Sequence, residues 1–256
     1  GVPEARIELF PNPVAIKTKL PAPTTSRTAI VNTLGLDPAK KIVTYPVRVI
    51  RRKNIGEFIL LSILLGDNAE WLVTQPPKNP EEIRHYGQWV DFCRENAINL
   101  HFEAGTKVDF FQLMVASDFC ATTSYREGFG LAFLEPWLFD TPIVGRDLPE
   151  ITRDMKDNGL LLPTAYTSLE VTFHHKKTDF KALSETQQRE FLARLLKNKS
   201  LRKQVLADNP TLGKLLKDVP GPIMAHNQSV IRNEYAYDKY AEKLHAGYQE
   251  LFTATG

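Results

Sequence analysis

Between residues 41 and 145 short apolar runs alternate with helical stretches, and this alternation restricts the possible folds more than any other feature. Strands are predicted at residues 41–47 (Lys-Ile-Val-Thr-Tyr-Pro-Val), 71–74, 98–103, 119–123 and 142–145. Helices are predicted at 24–34, 55–65, 80–96, 108–116 and 129–139. Strands that alternate with helices of roughly ten to fifteen residues predict an α/β protein with a doubly wound parallel sheet. Ligands of such sheets bind at the carboxyl ends of the strands, here the loops at 48–53, 104–107 and 124–128. Pro46 removes a backbone donor and so predicts a sheet edge or a strand end. A further short strand is expected at 7–10, stopped by Pro11-Asn12-Pro13.

Beyond residue 163 the pattern turns helical, with segments at 184–196 and 229–251. The last follows a hinge, Val219-Pro220-Gly221-Pro222. Tyr237, Tyr240, Leu244, Tyr248 and Leu251 form one face of it, which predicts packing against a core or, more sharply, docking on a second domain. The organisation read from the chain is a hinge segment and first strand at 1–20, a Rossmann-like domain at 21–205, and a linker with a C-terminal helix at 206–256.

Composition narrows the partners. With 256 residues, 43% of them apolar, the chain can bury one core or one and a half. A formal charge of +2 implies neither nucleic acid nor an anionic membrane as partner. The basic stretch around Lys197, Lys199, Arg202 and Lys203 is interrupted by Asp179, Glu185, Glu190 and Asp208, the pattern of a solvated helix face. Cys93 and Cys120 have no metal-ligand spacing and read as reduced core thiols of a cytoplasmic protein. No signal peptide and no transmembrane segment are expected, since the longest apolar run is 58–65. The histidines form no ligand pattern, so no metal site is predicted.

The chemistry concentrates at residues 122–135, Thr-Thr-Ser-Tyr-Arg-Glu-Gly-Phe-Gly-Leu-Ala-Phe-Leu-Glu. Glu127 and Glu135 flank a Gly-x-Gly turn between a buried strand and an apolar helix. A helix would set Glu135 about 12 Å along its axis, with free backbone N–H groups forming an anion site between the two acids. A nucleotide-diphosphate sugar has hydroxyls at both ends and phosphates between, and suits this layout. Glu127 alone could be a favourable first-turn charge. Glu135 is harder to dismiss, because an unpaired carboxylate within an apolar stretch is costly. The dinucleotide-binding fingerprint fails, since Gly128-Phe-Gly130 lacks its third glycine.

Glu127-Gly-Phe-Gly-Leu-Ala-Phe-Leu-Glu135 resembles the E-x7-E motif of retaining GT-B glycosyltransferases, the group 1 type. Further stretches are similar in the same order: Leu9-Phe10-Pro11-Asn12-Pro13 at the inter-domain hinge, Arg48 through Lys53 as an Arg-x4-Lys loop, Leu148-Pro149-Glu150-Ile151, and Asn158 through Pro163. The likeness runs from about residue 7 to residue 205. It implies a Rossmann-like C-terminal half of a GT-B fold with a helical C-terminal extension. It implies that Glu127, Arg48 and Lys53 are catalytic, and that Arg48, Lys53, Gly128, Phe129, Gly130, Leu131 and Glu135 bind the donor. Arg48 and Lys53 would hold the diphosphate as the sugar–phosphate bond breaks. Glu135 would accept hydrogen bonds from the ribose, and Glu127 would contact the transferred sugar. No tightly bound cofactor and no metal are implied, because basic residues take the place of one.

Two departures stand out. Pro136 directly follows Glu135 and should kink its helix, and Phe139-Asp140 replaces a small, glycine-containing turn. A complete GT-B enzyme has a second, N-terminal domain that binds most of the acceptor. The expected partners are therefore a nucleotide sugar, an acceptor, and an N-terminal acceptor domain or separate subunit. A non-catalytic nucleotide-sugar sensor or scaffold subunit is the competing reading.

Overall fold

The computed structural model describes residues 10–17 and 19–254. In chain order the elements are α1 (Pro23–Leu34), β1 (Lys41–Arg48), α2 (Ile55–Leu65), β2 (Ala69–Gln75), α3 (Pro80–Glu95), β3 (Leu100–His101), α4 (Ala104–Lys107) and α5 (Phe110–Ala116). They continue with β4 (Phe119–Thr122), β5 (Ile143–Arg146), α6 (Pro149–Asp157), β6 (Ala165–Tyr166), β7 (Glu170–Phe173) and β8 (Lys176–Asp179). The remaining helices are α7 (Glu185–Lys197), α8 (Lys199–Asp208), α9 (Gly221–Glu234) and α10 (Tyr237–Ala254). The strand expected at residues 7–10 falls, apart from Phe10, outside the described residues.

Six parallel strands form one sheet in the order β3-β2-β1-β4-β5-β6. This is the doubly wound sheet that the alternation predicts. Its strand order reverses between β1 and β4, and the crevice at such a switch point is where ligands bind. Residues 42–45 of β1 and 69–74 of β2 are buried without alternation, as strands covered on both faces must be. One face is covered by α1, α4 and α5 around Ile30, Leu72, Ala104 and Leu113. The other is covered by α2, α3 and α7 around Phe58, Trp71, Trp89 and Phe191.

The helix ends follow from local chemistry. Asn79 caps α3 by accepting from the Glu81 N–H, and Pro80 fits its first turn. Ser184 and Gln187 form a reciprocal capping box on α7. Gly35 closes α1 in the left-handed region at φ 67°.

Three expectations need correction. Pro46 lies in a central strand, with β2 on one side and β4 on the other. The β1–β2 register runs Tyr45↔Val73 and then Arg48↔Gln75, so β1 holds one extra residue there. Pro46 sits in that bulge, where no ladder donor is lost. The region read as purely helical after residue 163 contains β6 and the antiparallel hairpin β7–β8. The hairpin turns on His174 and His175, both left-handed at φ 46° and 65°, as two-residue hairpin loops require. The final segment is two helices, broken at Tyr235-Ala236.

Helix α9 packs Ile231, with Tyr235, into a second core cluster containing Phe133, Trp137, Ile143 and Leu148. Helix α10 differs. Tyr237 and Tyr248 are 59% and 56% exposed, so much of its tyrosine face is not packed against the core as the sequence predicts.

On β5, Arg146 is fully buried. Its Nε and Nη2 donate to Glu57 at 2.9 and 2.6 Å, and Nη1 and Nη2 donate to Asp179 at 2.9 and 2.7 Å. The Thr167 carbonyl accepts from Nη1 at 2.9 Å. Glu57, at the start of α2, also accepts from Tyr166 and Asn54, each at 2.9 Å.

Candidate active site

The loop after β1 forms a single 3-10 turn, Arg51–Lys53, ended by Asn54 in the left-handed region at φ 48°. Buried hydroxyls fix its position. The Lys53 carbonyl accepts from the Tyr45 hydroxyl at 2.9 Å and from Thr123 Oγ1 at 3.1 Å. The Tyr125 N–H donates to the Arg52 carbonyl at 3.0 Å. The loops after β1 and β4 are thus joined across the switch point, and Asn54 ties both to the buried Arg146–Glu57 pair.

On this frame Glu127 receives two cations. Arg52 Nη1 donates to its Oε2 at 2.7 Å, and Lys53 Nζ donates to its Oε1 in a short ion pair. The Lys53 and Glu127 side chains are only 11% and 9% exposed. Burial pushes the Glu127 carboxyl up, but hydrogen bonds from Lys53 and Ser124 and the nearby cations outweigh it and hold the group below the usual carboxylate range. Burial also pulls Lys53 below the ordinary lysine range, against the opposing influence of Glu127. Two cations against one ionised acid leave the cluster net positive, which favours a further anion.

Lys53, Glu127, Gly128, Phe129, Gly130, Leu131 and Glu135 all line one cavity of about 380 Å³. Arg48 does not line it. Its Nη2 donates to Gln75 Oε1 at 2.9 Å, while its Nε is buried without a partner among the described residues. Arg52 stands in the cavity instead. From the sequence, Arg48 and Lys53 were singled out at the two ends of this loop, and Arg52 between them was not. Ser124, Thr123 and Tyr45 were also missed, and nothing in their local pattern marks them.

The segment after Gly130 is not the predicted helix over 129–139. Two 3-10 turns, Leu131–Phe133 and Glu135–Phe139, meet at Leu134 with φ −111° and ψ −53°. Pro136 has no N–H to donate, and its ring would collide with the carbonyl four residues earlier. The 12 Å helical spacing therefore does not apply. The amides available to an anion are loop amides, and those of Gly128, Phe129 and Gly130 make no backbone hydrogen bond among the described residues. Gly130 is needed sterically: at φ +72° a Cβ would lie 2.4 Å from Ile151 and 2.6 Å from Met155. Gly128 has open space around it, and Phe129 is 72% exposed at the rim.

Glu135 stands in the cavity wall with no ion-pair partner among the described residues, and burial raises its carboxyl above the usual range. A raised folded-state value contributes stability fully below the unfolded value, about pH 4.3, and loses it as pH rises through the folded value. Glu135→Gln is accordingly expected to melt higher than the parent at pH 7–8, with the gap closing toward pH 4. Each kcal/mol would appear as roughly 2–4 °C. Equal melting temperatures throughout that range would show that burial imposes no penalty on this acid.

No family profile matches the sequence. The mannosylglucosyl-3-phosphoglycerate synthase of Petrotoga mobilis is 30% identical over 166 residues, 61% of this chain and 32% of that protein. The chain thus spans about a third of the length of that curated relative. Sucrose-phosphate synthase from Thermosynechococcus elongatus superposes with a TM-score of 0.57 at 16% identity, over 96% of this chain and 53% of the other. Alr3699/HepE from Anabaena, solved in complex with UDP, gives 0.53 at 14% identity over 90% and 54%. The fold is that of the C-terminal half of a GT-B glycosyltransferase. Within this GT-B half-fold the switch-point crevice, the Arg51–Lys53 turn and the Glu127–Leu131 loop coincide in one place. Among the described residues no cluster of three or more His, Cys, Asp or Glu is placed to hold a metal ion. No helix among them is long and apolar enough to cross a membrane.

Proposed function

We propose that this chain is the donor-binding half of a retaining, nucleotide-sugar-dependent glycosyltransferase. One observation carries the reading: Arg52, Lys53, Glu127, the Gly128–Gly130 amides and Glu135 converge on a single cavity at the sheet's switch point. Lys53 and the loop amides receive the diphosphate, and Arg48 joins them if it leaves Gln75. Glu135 accepts from the ribose hydroxyls, and Glu127 faces the transferred sugar. The acceptor hydroxyl attacks the anomeric carbon from the side on which the diphosphate departs. The carbon–oxygen bond to phosphate breaks, and the acceptor proton passes to the leaving phosphate oxygen. Fixed cations stabilise that developing charge more than the ground state. An N-terminal domain or a separate subunit supplies most of the acceptor site.

The relatives support this choice of ligand. HepE was solved with UDP and with UDP-glucose, and the Petrotoga protein is named as a glycosylated phosphoglycerate synthase. The test is isothermal titration of the chain with UDP, GDP, ADP and their glucose and mannose conjugates. One nucleotide is expected to bind selectively, and Lys53→Ala to weaken it about tenfold to a hundredfold, the worth of one charge-assisted contact. Absence of binding to every nucleotide would favour a scaffold subunit over a donor domain.

A further inference from the structure

A larger cavity, of about 570 Å³, opens between α3, α7 and the loop after β1, and it shares no lining residue with the donor cavity. The two are divided by the Arg51–Lys53 turn, which presents Arg51 to one and Arg52 and Lys53 to the other. Arg51, Arg84, Lys181 and Arg189 line this second cavity, and none of the four has an ion pair among the described residues. The acids facing them are already engaged. Glu82 accepts the Arg51 backbone N–H at 2.9 Å, and Glu185 meets His85 at 3.2 Å. Four cations therefore stand against two carboxylates.

Arg189 supplies the sharper observation. Its guanidinium lies over the Trp89 ring, 5.1 Å from the centroid, a favourable cation–π contact. Its Nη1 atom is shielded from solvent and has no hydrogen-bond partner among the described residues. A buried donor without an acceptor is uncommon and costly. A slide of the guanidinium along the Trp89 face would bring it to an anionic oxygen in the cavity. The first turn of α7, whose Glu185 and Thr186 line the same space, adds backbone donors and the positive end of a helix thirteen residues long. A volume of this size suits a small metabolite.

We propose that this cavity is a second ligand site, specific for the phosphate group of a small phosphorylated metabolite. It is separate from the donor cavity and stands independently of the donor reading. The two sites flank the Arg51–Lys53 turn, so a phosphate held by Arg51 acts on the donor cavity through its charge.

The test is a titration of the chain with inorganic phosphate, followed residue by residue through amide chemical shifts, with and without saturating UDP. Saturable movement is expected at the Glu185 and Thr186 amides and at the Arg189 Nε–H, and it should persist in the presence of UDP. The double variant Arg84→Gln/Lys181→Gln alters two exposed side chains, and an otherwise unchanged spectrum will show that it folds. Its phosphate affinity is expected to fall at least about fivefold. Movement confined to Gly128–Leu131 would overturn the proposal by placing phosphate in the donor cavity alone. So would shifts that fail to saturate or are equal in the double variant. Loss of UDP binding with the α7 shifts intact would instead count against the donor reading only.

Discussion

Arg146→Met is expected to cost about 3–5 kcal/mol of folding stability, because it strands a buried carboxylate. For a chain of this size that is a fall of roughly 6–20 °C in melting temperature. All five guanidinium N–H groups are engaged, four by the carboxylates of Glu57 and Asp179 and one also reaching the Thr167 carbonyl. Asp179 is 19% exposed and can turn to water, but the Glu57 side chain is wholly enclosed. After the substitution its charge retains only Tyr166 and Asn54 as donors. The double variant Arg146→Met/Glu57→Leu should recover much of the loss, since replacing a whole buried pair with apolar groups is often neutral. Chemical denaturation of the three proteins measures both effects. A single variant within about 1 kcal/mol of the parent would mean that water reaches Glu57.

On the proposed function, Glu127→Ala in an enzyme containing this chain is expected to lower kcat by about a hundredfold to a thousandfold, the scale of losing a fixed electrostatic partner in a transition state. Nucleotide diphosphate affinity should change by less than about threefold, or tighten. Glu127 engages both Arg52 and Lys53, so its removal frees two cations for phosphate while depriving the sugar of its carboxylate. The split between turnover and affinity is the informative quantity. Weakened affinity with turnover intact would make Glu127 a positioning residue for Lys53 and nothing more.

The sheet was legible in the sequence because its strands and helices differ in length and residue type. α2 matches its expected bounds, and β1, α3 and β4 differ by one residue at one end. β3 shrinks to Leu100–His101 because only Trp71 and Leu72 of β2 pair with it. The hairpin β7–β8 escaped notice because its turn uses His174-His175 in place of the glycine or asparagine that normally marks one. The kink at Pro136 was foreseen, but its extent was not: local propensity favoured a helix from Phe129, and the proline divided the segment into two 3-10 turns. Of the candidate residues read from the chain, Lys53, Glu127 and Glu135 line one cavity. Exchanging Arg48 for Arg52 required knowing that Arg48 reaches Gln75 across the β1 bulge, a relation between two strands that no local pattern records.

Asn54 gives the buried ion network a role beyond stability. Its Nδ2 donates to Glu57, its Oδ1 accepts from Gln188 of α7 at 3.2 Å, and its carbonyl accepts from Thr123. One residue in a left-handed conformation thereby registers the cation-bearing turn against α2, α7 and the loop after β4. The turn behaves as an index pin: it cannot slide toward either cavity without disturbing a charge sealed in the interior. The entropy of ordering the turn's backbone and the Arg52 and Lys53 side chains is therefore spent when the chain folds, and little of it remains to be lost when an anion arrives.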